Sequence, residues 1–391
     1  MFSILLPIIY MAFISLGLPD ALLGAAWPTI YVQFDVPISY AGIVSAVISC
    51  CTVVSSLMSD RLTLRFGAGR VTAVSVAMTA FALLGFSVSP SFWVLCLFAV
   101  PYGLGAGSVD AALNNYVALH YASRHMSWLH CMWGIGTTIG PFVMGLVLSG
   151  GQAWNTGYRY IGFIQVVISA IIFFSLPLWK NAEASAPGEE KSERKALPLR
   201  EVIKIPGAKE VMMSFFCYCG YEQTSLLWAS SFLVGAAGIN AQLAATLGSL
   251  FCIGITVGRG ISGFITYKLN DTAMIRLGSA IGATGVVLML LPLGKYCTMA
   301  GLIILGLGCA PIYPSTIHST PAHFGAENSQ AIIGIQMASA YVGSTLMPPI
   351  FGLIANNISI KLMPCFILLL QILGAVMHER LVRISAEKLQ K

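Results

Sequence analysis

Charge is what this sequence has least of. Of its 391 residues only 9% are Asp, Glu, Lys or Arg, against roughly 25% in a soluble domain. So few charged groups cannot cover a water-facing surface. The 57% of hydrophobic residues, with a mean hydropathy of +0.82, need lipid as their solvent. Lipid restricts a spanning backbone to helices or closed barrels, because every peptide group must be satisfied internally. The short alternating segments of a barrel strand are also missing. Apolar runs here are continuous over about 20 residues or more, which selects helices. No cleavable leader stands out: residues 1–30 form too long a stretch, interrupted by Asp20, and are expected to be the first span.

Metal and nucleic-acid patterns are lacking too. The ten cysteines lie mostly inside apolar runs, and the CxC pair, Cys217 and Cys219, points to two different helix faces. They read as small packing residues, with no metal site and no cofactor implied. The net charge of +6 comes from basic residues in short loops beside apolar runs, where they set topology rather than bind nucleic acid.

What is present is a train of twelve apolar runs, roughly 4–32, 39–59, 70–89, 92–121, 128–149, 157–179, 209–235, 241–266, 272–293, 297–322, 328–355 and 361–380. The expected fold is an all-α membrane protein of twelve helices in two pseudo-symmetric six-helix bundles. Residues 1–179 form the first bundle and 209–391 the second, which ends in a short tail. Residues 180–208 are a linker rich in Ala, Pro and mixed charge, with a short amphipathic helix near Leu199 to Ile205. Seventeen Lys and Arg fall on the linker's side of the membrane, and only Arg159, Lys295 and Lys361 on the other. The positive-inside rule therefore puts linker and termini in the cytoplasm, in a bacterial-type inner (plasma) membrane. The chain is expected to act as a monomer in the lipid bilayer.

An internal repeat supports the two bundles. The fourth span reads GLGAGSVD from Gly103 and the tenth GLGCAPIY from Gly306, an offset of 203. GTTIGPFVMG from Gly136 answers GSTLMPPIFG from Gly343, an offset of 207. Asp20 with Trp27 answers Glu222 with Trp228, an offset near 202. Colinear matches at nearly one offset indicate a duplicated six-helix unit, an architecture of secondary transporters.

Ionisable groups inside a bilayer cost at least about 2.5–3.5 kcal/mol each and usually serve a function. Three of the 15 acidic residues lie mid-span: Asp20, Asp110 and Glu222. Burial among apolar groups favours the neutral form of a carboxyl, so Asp20 and Asp110, facing one cavity, would take up and release a proton, and Glu222 is the third candidate for proton coupling. In LGLPDALLGAAWP a continuous helix puts Leu23, Gly24 and Trp27 on the face of Asp20, and Pro19 loosens that helix. In GLGAGSVDAALNNYV, Asn114 and Asn115 follow Asp110, while Gly103, Gly105 and Gly107 admit a close backbone.

Glu222, in CYCGYEQTSLLW, shares its face with Tyr218 and Ser225, with Gln223 and Trp228 nearby. Aromatic plates beside a carboxylate and an amide suit a sugar ring, and the same mixture can serve as interhelical glue. His130, Gln165, Tyr313, Gln336 and Tyr341 are further candidate contacts, and Trp133 opens the fifth span beside His130. In SDRLTLRFGAGR, Asp60, Arg65 and Arg70 are candidate gate residues of a tight cytoplasmic turn, and Arg259 in VGRGISG is their counterpart in the second half.

These segments resemble a known family. RFGAGRV looks like a degenerate form of the major facilitator signature, with Leu64 where its usual acid falls and Asp60 one turn earlier. GLGAGSVDAALNNYV is similar to the fourth-span motif of the fucose permease branch, with Asn115 in place of a common Pro, and PDALLG is similar to its first-span acid motif. The resemblance implies an H⁺-coupled symporter of a small sugar (a hexose or deoxyhexose) working by alternating access. It places Asp20 and Asp110 at the two acidic positions, with Asn114 as their polar neighbour. A proton-antiport exporter of drugs or amphiphilic metabolites is the other transporter reading. An enzyme would need a dense constellation of reactive groups, whereas the acids here lie one per helix.

Overall fold

The computed structural model describes residues 4–37, 40–179, 197–239, 244, 247 and 249–389. Among them the regular elements are helices. The first group is α1 (Leu5–Gly17), α2 (Leu22–Gln33), α3 (Ala41–Phe66), α4 (Ala68–Ser87), α5 (Phe92–His120), α6 (Ser123–Ser149) and α7 (Trp154–Phe174). After α8 (Leu199–Val202) come α9 (Ala208–Ala237), α10 (Leu250–Ile265), α11 (Asp271–Leu290) and α12 (Lys295–Cys309). Then follow α13 (Ile312–His318), α14 (Thr320–Phe324), α15 (Ala326–Asn357) and α16 (Met363–Leu389).

Among the described residues, ten helical stretches are long and apolar enough to cross a membrane, counting α1 with α2 and α12 with α13 as one stretch each. The 30-residue α9, which carries Lys209, Glu210 and Glu222, and the apolar α10 complete twelve spans. Outward faces are strongly apolar: Trp93, Leu97, Phe163 and Phe174 are all exposed, as lipid-facing groups must be. At 29 residues, α5 is about 44 Å long. That exceeds a hydrocarbon core of roughly 30 Å, so the helix tilts or projects beyond the apolar layer.

Three local features depart from the expected spans. Pro19 has no N–H to give, and α1 stops at Gly17; residues 18–21 form turns, closed by Asp20 N–H to the Gly17 carbonyl (3.2 Å) and Leu22 N–H to the Pro19 carbonyl (3.0 Å). The expected loop from Ser59 to Arg70 is mostly helix. α3 runs to Phe66, and the turn is Gly67 alone, at φ 79°, a conformation that favours glycine. The tenth span breaks at Ala310 and Pro311, and α13 and α14 continue it. Of the expected linker, residues 180–196 lie outside the described residues, and α8 falls within the expected amphipathic stretch.

The chain divides into two compact units. One is Met1–Tyr116 with Leu129–Leu197; the other is Val117–Trp128 with Pro198–Lys391. Each unit repeats the same close backbone crossings. In the first, a Cβ on Gly103 of α5 would overlap the Ile48 carbonyl of α3; in the second, one on Gly306 of α12 would overlap the Phe251 carbonyl of α10. Likewise Gly136 of α6 lies against the Ile14 carbonyl of α1, and Gly343 of α15 against the Phe216 carbonyl of α9. The partners Ile48 and Phe251 are themselves 203 residues apart. Duplication therefore shows in contact geometry as well as in sequence. Hydroxyls seal the first crossing: Thr52 donates to the Gly103 carbonyl at 3.2 Å, Ser56 to the Gly107 carbonyl at 3.3 Å, and Ser55 to the Leu104 carbonyl. Such bonds contribute about 0.6 kcal/mol each in a bilayer.

Candidate functional site

In the first unit the break between α1 and α2 presents Asp20 outside regular helix. Its carboxylate accepts Nε1–H of Trp133 at 2.7 Å and the hydroxyl of Tyr102 at 3.1 Å. Both donors are neutral, and the residue itself is exposed. Tyr102 is held in place by burial (5% exposed) and by Phe86, whose ring lies 6.3 Å away. The expected indole was Trp27, on the assumption of a continuous helix. Because the helix stops, Trp27 instead packs edge-on against Phe92 at 6.3 Å and is buried, and Trp133 from α6 meets the acid.

Asp110 is buried, unlike Asp20. Its Oδ1 accepts Nδ2–H of Asn114 at 2.8 Å, and Asn114 Oδ1 lies 3.1 Å from Nε2 of His130. Phe13 closes this chain with an edge contact to His130 at 5.3 Å. The i, i+4 spacing of Asp110 and Asn114 makes their bond a consequence of helix geometry. Asp110 sits two turns, about 12 Å, beyond Tyr102 along α5. His130 and Trp133, three residues apart, share one face of α6. That face therefore reaches both acids: Asp20 directly through Trp133, and Asp110 from His130 through Asn114. Asn115 is buried beside them. Gln165 is used up as a tie between α7 and α1: it accepts from Ser15 Oγ at 2.6 Å and donates to the Ser15 carbonyl.

The second unit treats its acid differently. Glu222 Oε1 accepts the Tyr218 hydroxyl at 3.0 Å and Nη2–H of Arg259 at 3.3 Å, and both charged side chains are almost wholly buried. Sequence position suggested a gate role for Arg259; the structure places it as the counter-ion of Glu222. Tyr218 also reaches the Cys309 carbonyl (3.0 Å) and sits among Phe215, Tyr221 and Tyr313, with ring centroids 5.4–6.2 Å away.

The Tyr313 hydroxyl contacts Met337 Sδ at 3.3 Å. Gln336 accepts from Thr320 at 3.0 Å, while its buried Nε2 has no acceptor among the described residues. Gln223 and Tyr341 are half-buried. Trp228 stands apart: its Nε1–H donates to the Pro348 carbonyl at 3.0 Å and its ring packs on Phe351.

The expected gate residues of the first unit do not come together. Asp60 is buried at 5% exposure. Arg65 is exposed and lies over the Phe66 ring at 5.3 Å. Arg70 is exposed at the rim of an apolar groove of about 1160 Å³ lined by Phe66, Val74, Phe81, Phe173 and Phe174. Helical continuation to Phe66 accounts for this, since it places Asp60, Arg65 and Arg70 on different faces and elements.

Sequence reasoning missed Tyr102, a lone hydroxyl in an apolar run. It also missed Asp271 and His318, whose carboxylate Oδ2 and ring Nδ1 lie 2.6 Å apart. Neither had a local pattern to betray it.

Comparison with known proteins agrees with this architecture. The family model described as Major Facilitator Superfamily matches residues 9–298. "Bypass of stop codon protein 6" of Saccharomyces cerevisiae is 23% identical over 392 residues, covering 91% of this chain and 78% of that protein. The glucose/mannose transporter GlcP of Bacillus subtilis is 19% identical over 300 residues, covering 75% and 73%. The crystal structure of the E. coli fucose:proton symporter FucP shares the fold, with a TM-score of 0.75 at 13% identity over 97% of this chain and 98% of that one. With its twelve helical spans, its duplicated crossings and a family match over most of its length, the chain belongs to the Major Facilitator Superfamily and is a membrane transporter, not an enzyme.

Proposed function

We propose that this chain imports a small sugar together with protons, by alternating access of the 1–179 and 209–391 bundles joined by the 180–208 linker. The observation that carries the reading is Asp20: an exposed carboxylate at a helix break, held by Trp133 and Tyr102. With no cation among those donors, it can take a proton without abandoning an ion pair. A solute hydroxyl can compete for the same indole and phenol, which links solute binding to the proton. The second acid, Asp110, with Asn114 and His130, forms a hydrogen-bonded chain that supports a relay role.

For the solute, the aromatic group around Tyr218 and Tyr313, with Gln223 and the spare amide N–H of Gln336, suits the C–H faces and hydroxyl edges of a sugar. The names of GlcP and FucP support the same class. The lysine and arginine asymmetry supports a bacterial-type inner membrane with cytoplasmic termini, and the protein acts as a monomer.

The test is uptake of glucose, mannose and fucose by proteoliposomes of the purified protein under an inward proton gradient. Accumulation above equilibrium is expected. Asp20→Asn should abolish accumulation, by about tenfold or more, while leaving equilibrative exchange. Vesicles that accumulate none of these sugars would overturn the proposal, and gradient-driven expulsion of a cationic dye would assign the antiport reading instead.

A further inference from the structure

The α5–α6 turn belongs to the second unit by its packing, although the bodies of α5 and α6 belong to the first. One side chain anchors it. His318, at the end of α13, has its Nδ1 2.6 Å from Oδ2 of Asp271 and its Nε2 2.9 Å from the carbonyl oxygen of Tyr121 in the turn. The other Asp271 oxygen accepts the hydroxyl of Ser123, also in the turn, at 2.5 Å. Asp271 is the first residue of α11, where the helix dipole favours a negative charge.

Proton counting decides what this arrangement needs. A carbonyl oxygen only accepts, so Nε2 of His318 must carry a hydrogen. A neutral imidazole would then turn the Nδ1 lone pair toward a carboxylate oxygen 2.6 Å away, which is repulsive. The geometry is satisfied only with one further proton. Whether it sits on the ring or on the carboxyl, it belongs to the pair.

We propose that His318, with Asp271, is a proton-binding site that the uptake of one proton completes, and that the protonated pair holds the α5–α6 turn on the second unit. Loss of that proton releases this anchor and loosens the turn.

Several charged and titratable groups lie on the elements packed around the pair. Asp271 is the carboxylate that meets His318. On the α6 side, Arg124 lies over the Tyr267 ring at 4.9 Å, and His125 packs edge-on against Tyr121 and Trp128. Further along α11, Arg276 is bound in a bidentate pair by Glu379 at 2.7 and 2.8 Å. α14 carries His323, bonded to Ser385, and α9 faces α13 with Phe215 and Tyr218 around Tyr313. Trp128 also rests on Gly263 and on Phe264, at 5.7 Å, giving the turn an apolar seat whose grip does not depend on pH. The site is distinct from Asp20 and Asp110, and its role does not depend on which solute is carried.

Hydrogen exchange of the full-length protein, followed by mass spectrometry from pH 5.5 to 8.5 and corrected for intrinsic chemistry, tests the idea. Peptides covering residues 117–128 should be protected at low pH and lose about tenfold or more of that protection as pH rises, the scale of one hydrogen bond to a charged group. Peptides from α3 should show no such step and so report an intact fold. In His318→Gln and in Asp271→Asn, the step should vanish and the turn should stay weakly protected throughout. A flat profile in the unaltered protein overturns the proposal, as does a step that survives in His318→Gln.

Discussion

Asp20 and Glu222 answer one another across the duplication, and each accepts a tyrosine hydroxyl, yet their surroundings differ in charge. Glu222 faces a guanidinium and is shut in; Asp20 faces an indole N–H and lies open. The backbone crossings around them are the same in both units, from Gly103 and Gly306 to Gly136 and Gly343. Duplication thus fixed the scaffold and left the chemistry free to diverge. An acid with a fixed counter-ion cannot take a proton without giving up that ion pair. An acid on neutral donors has no such pair to give up.

The contrast can be broken most severely at Arg259. Arg259→Met leaves Glu222 buried without a counter-charge and should lower stability by about 3–5 kcal/mol, seen as a large fall in the unfolding midpoint in detergent. Adding Glu222→Gln should recover most of it. A loss below about 1 kcal/mol, the scale of an exposed pair, would erase the distinction between the two acids.

A smaller effect is expected at the other acid. Trp133→Phe removes a donor to Asp20 and should cost toward the lower end of about 1.5–3 kcal/mol, because water reaches the exposed carboxylate. The same unfolding measurement should show Trp133→Phe well short of Arg259→Met; equal losses would mean that Asp20 is as closed as Glu222.

The scaffold comparison gives the third expectation. Gly103→Ala and Gly306→Ala should each cost about 1–3 kcal/mol by forcing a helix pair apart. Similar values for the two would sharpen the view that the crossings are equivalent, and a tolerated change in one half alone would break it.

Spans and repeat were legible because hydropathy and local motifs are properties of contiguous sequence. Most partners at the site were not, because they arrive from other helices. Pro19 and Asp20 stood out in the sequence, and Pro19 was read as a loosened helix. The actual stop at Gly17 moved Trp27 away and made room for Trp133, 113 residues on. Asp110 and Asn114 could be paired in advance because four residues on a helix fix their contact, whereas His130 joined them only through tertiary packing. Glu222 stood out as a mid-span acid and Arg259 as a gate candidate; nothing local said that the two would meet.

The seat of the α5–α6 turn on the second unit has a consequence for synthesis. Tyr121 is bound by His318, which follows it by 197 residues. At roughly 5–20 residues per second, about 10–40 s pass between the emergence of the two. During that interval the Tyr121 carbonyl and the Ser123 hydroxyl lack the partners that His318 and Asp271 later supply. The later helices therefore do more than complete a second bundle: they finish the packing of a turn made long before them.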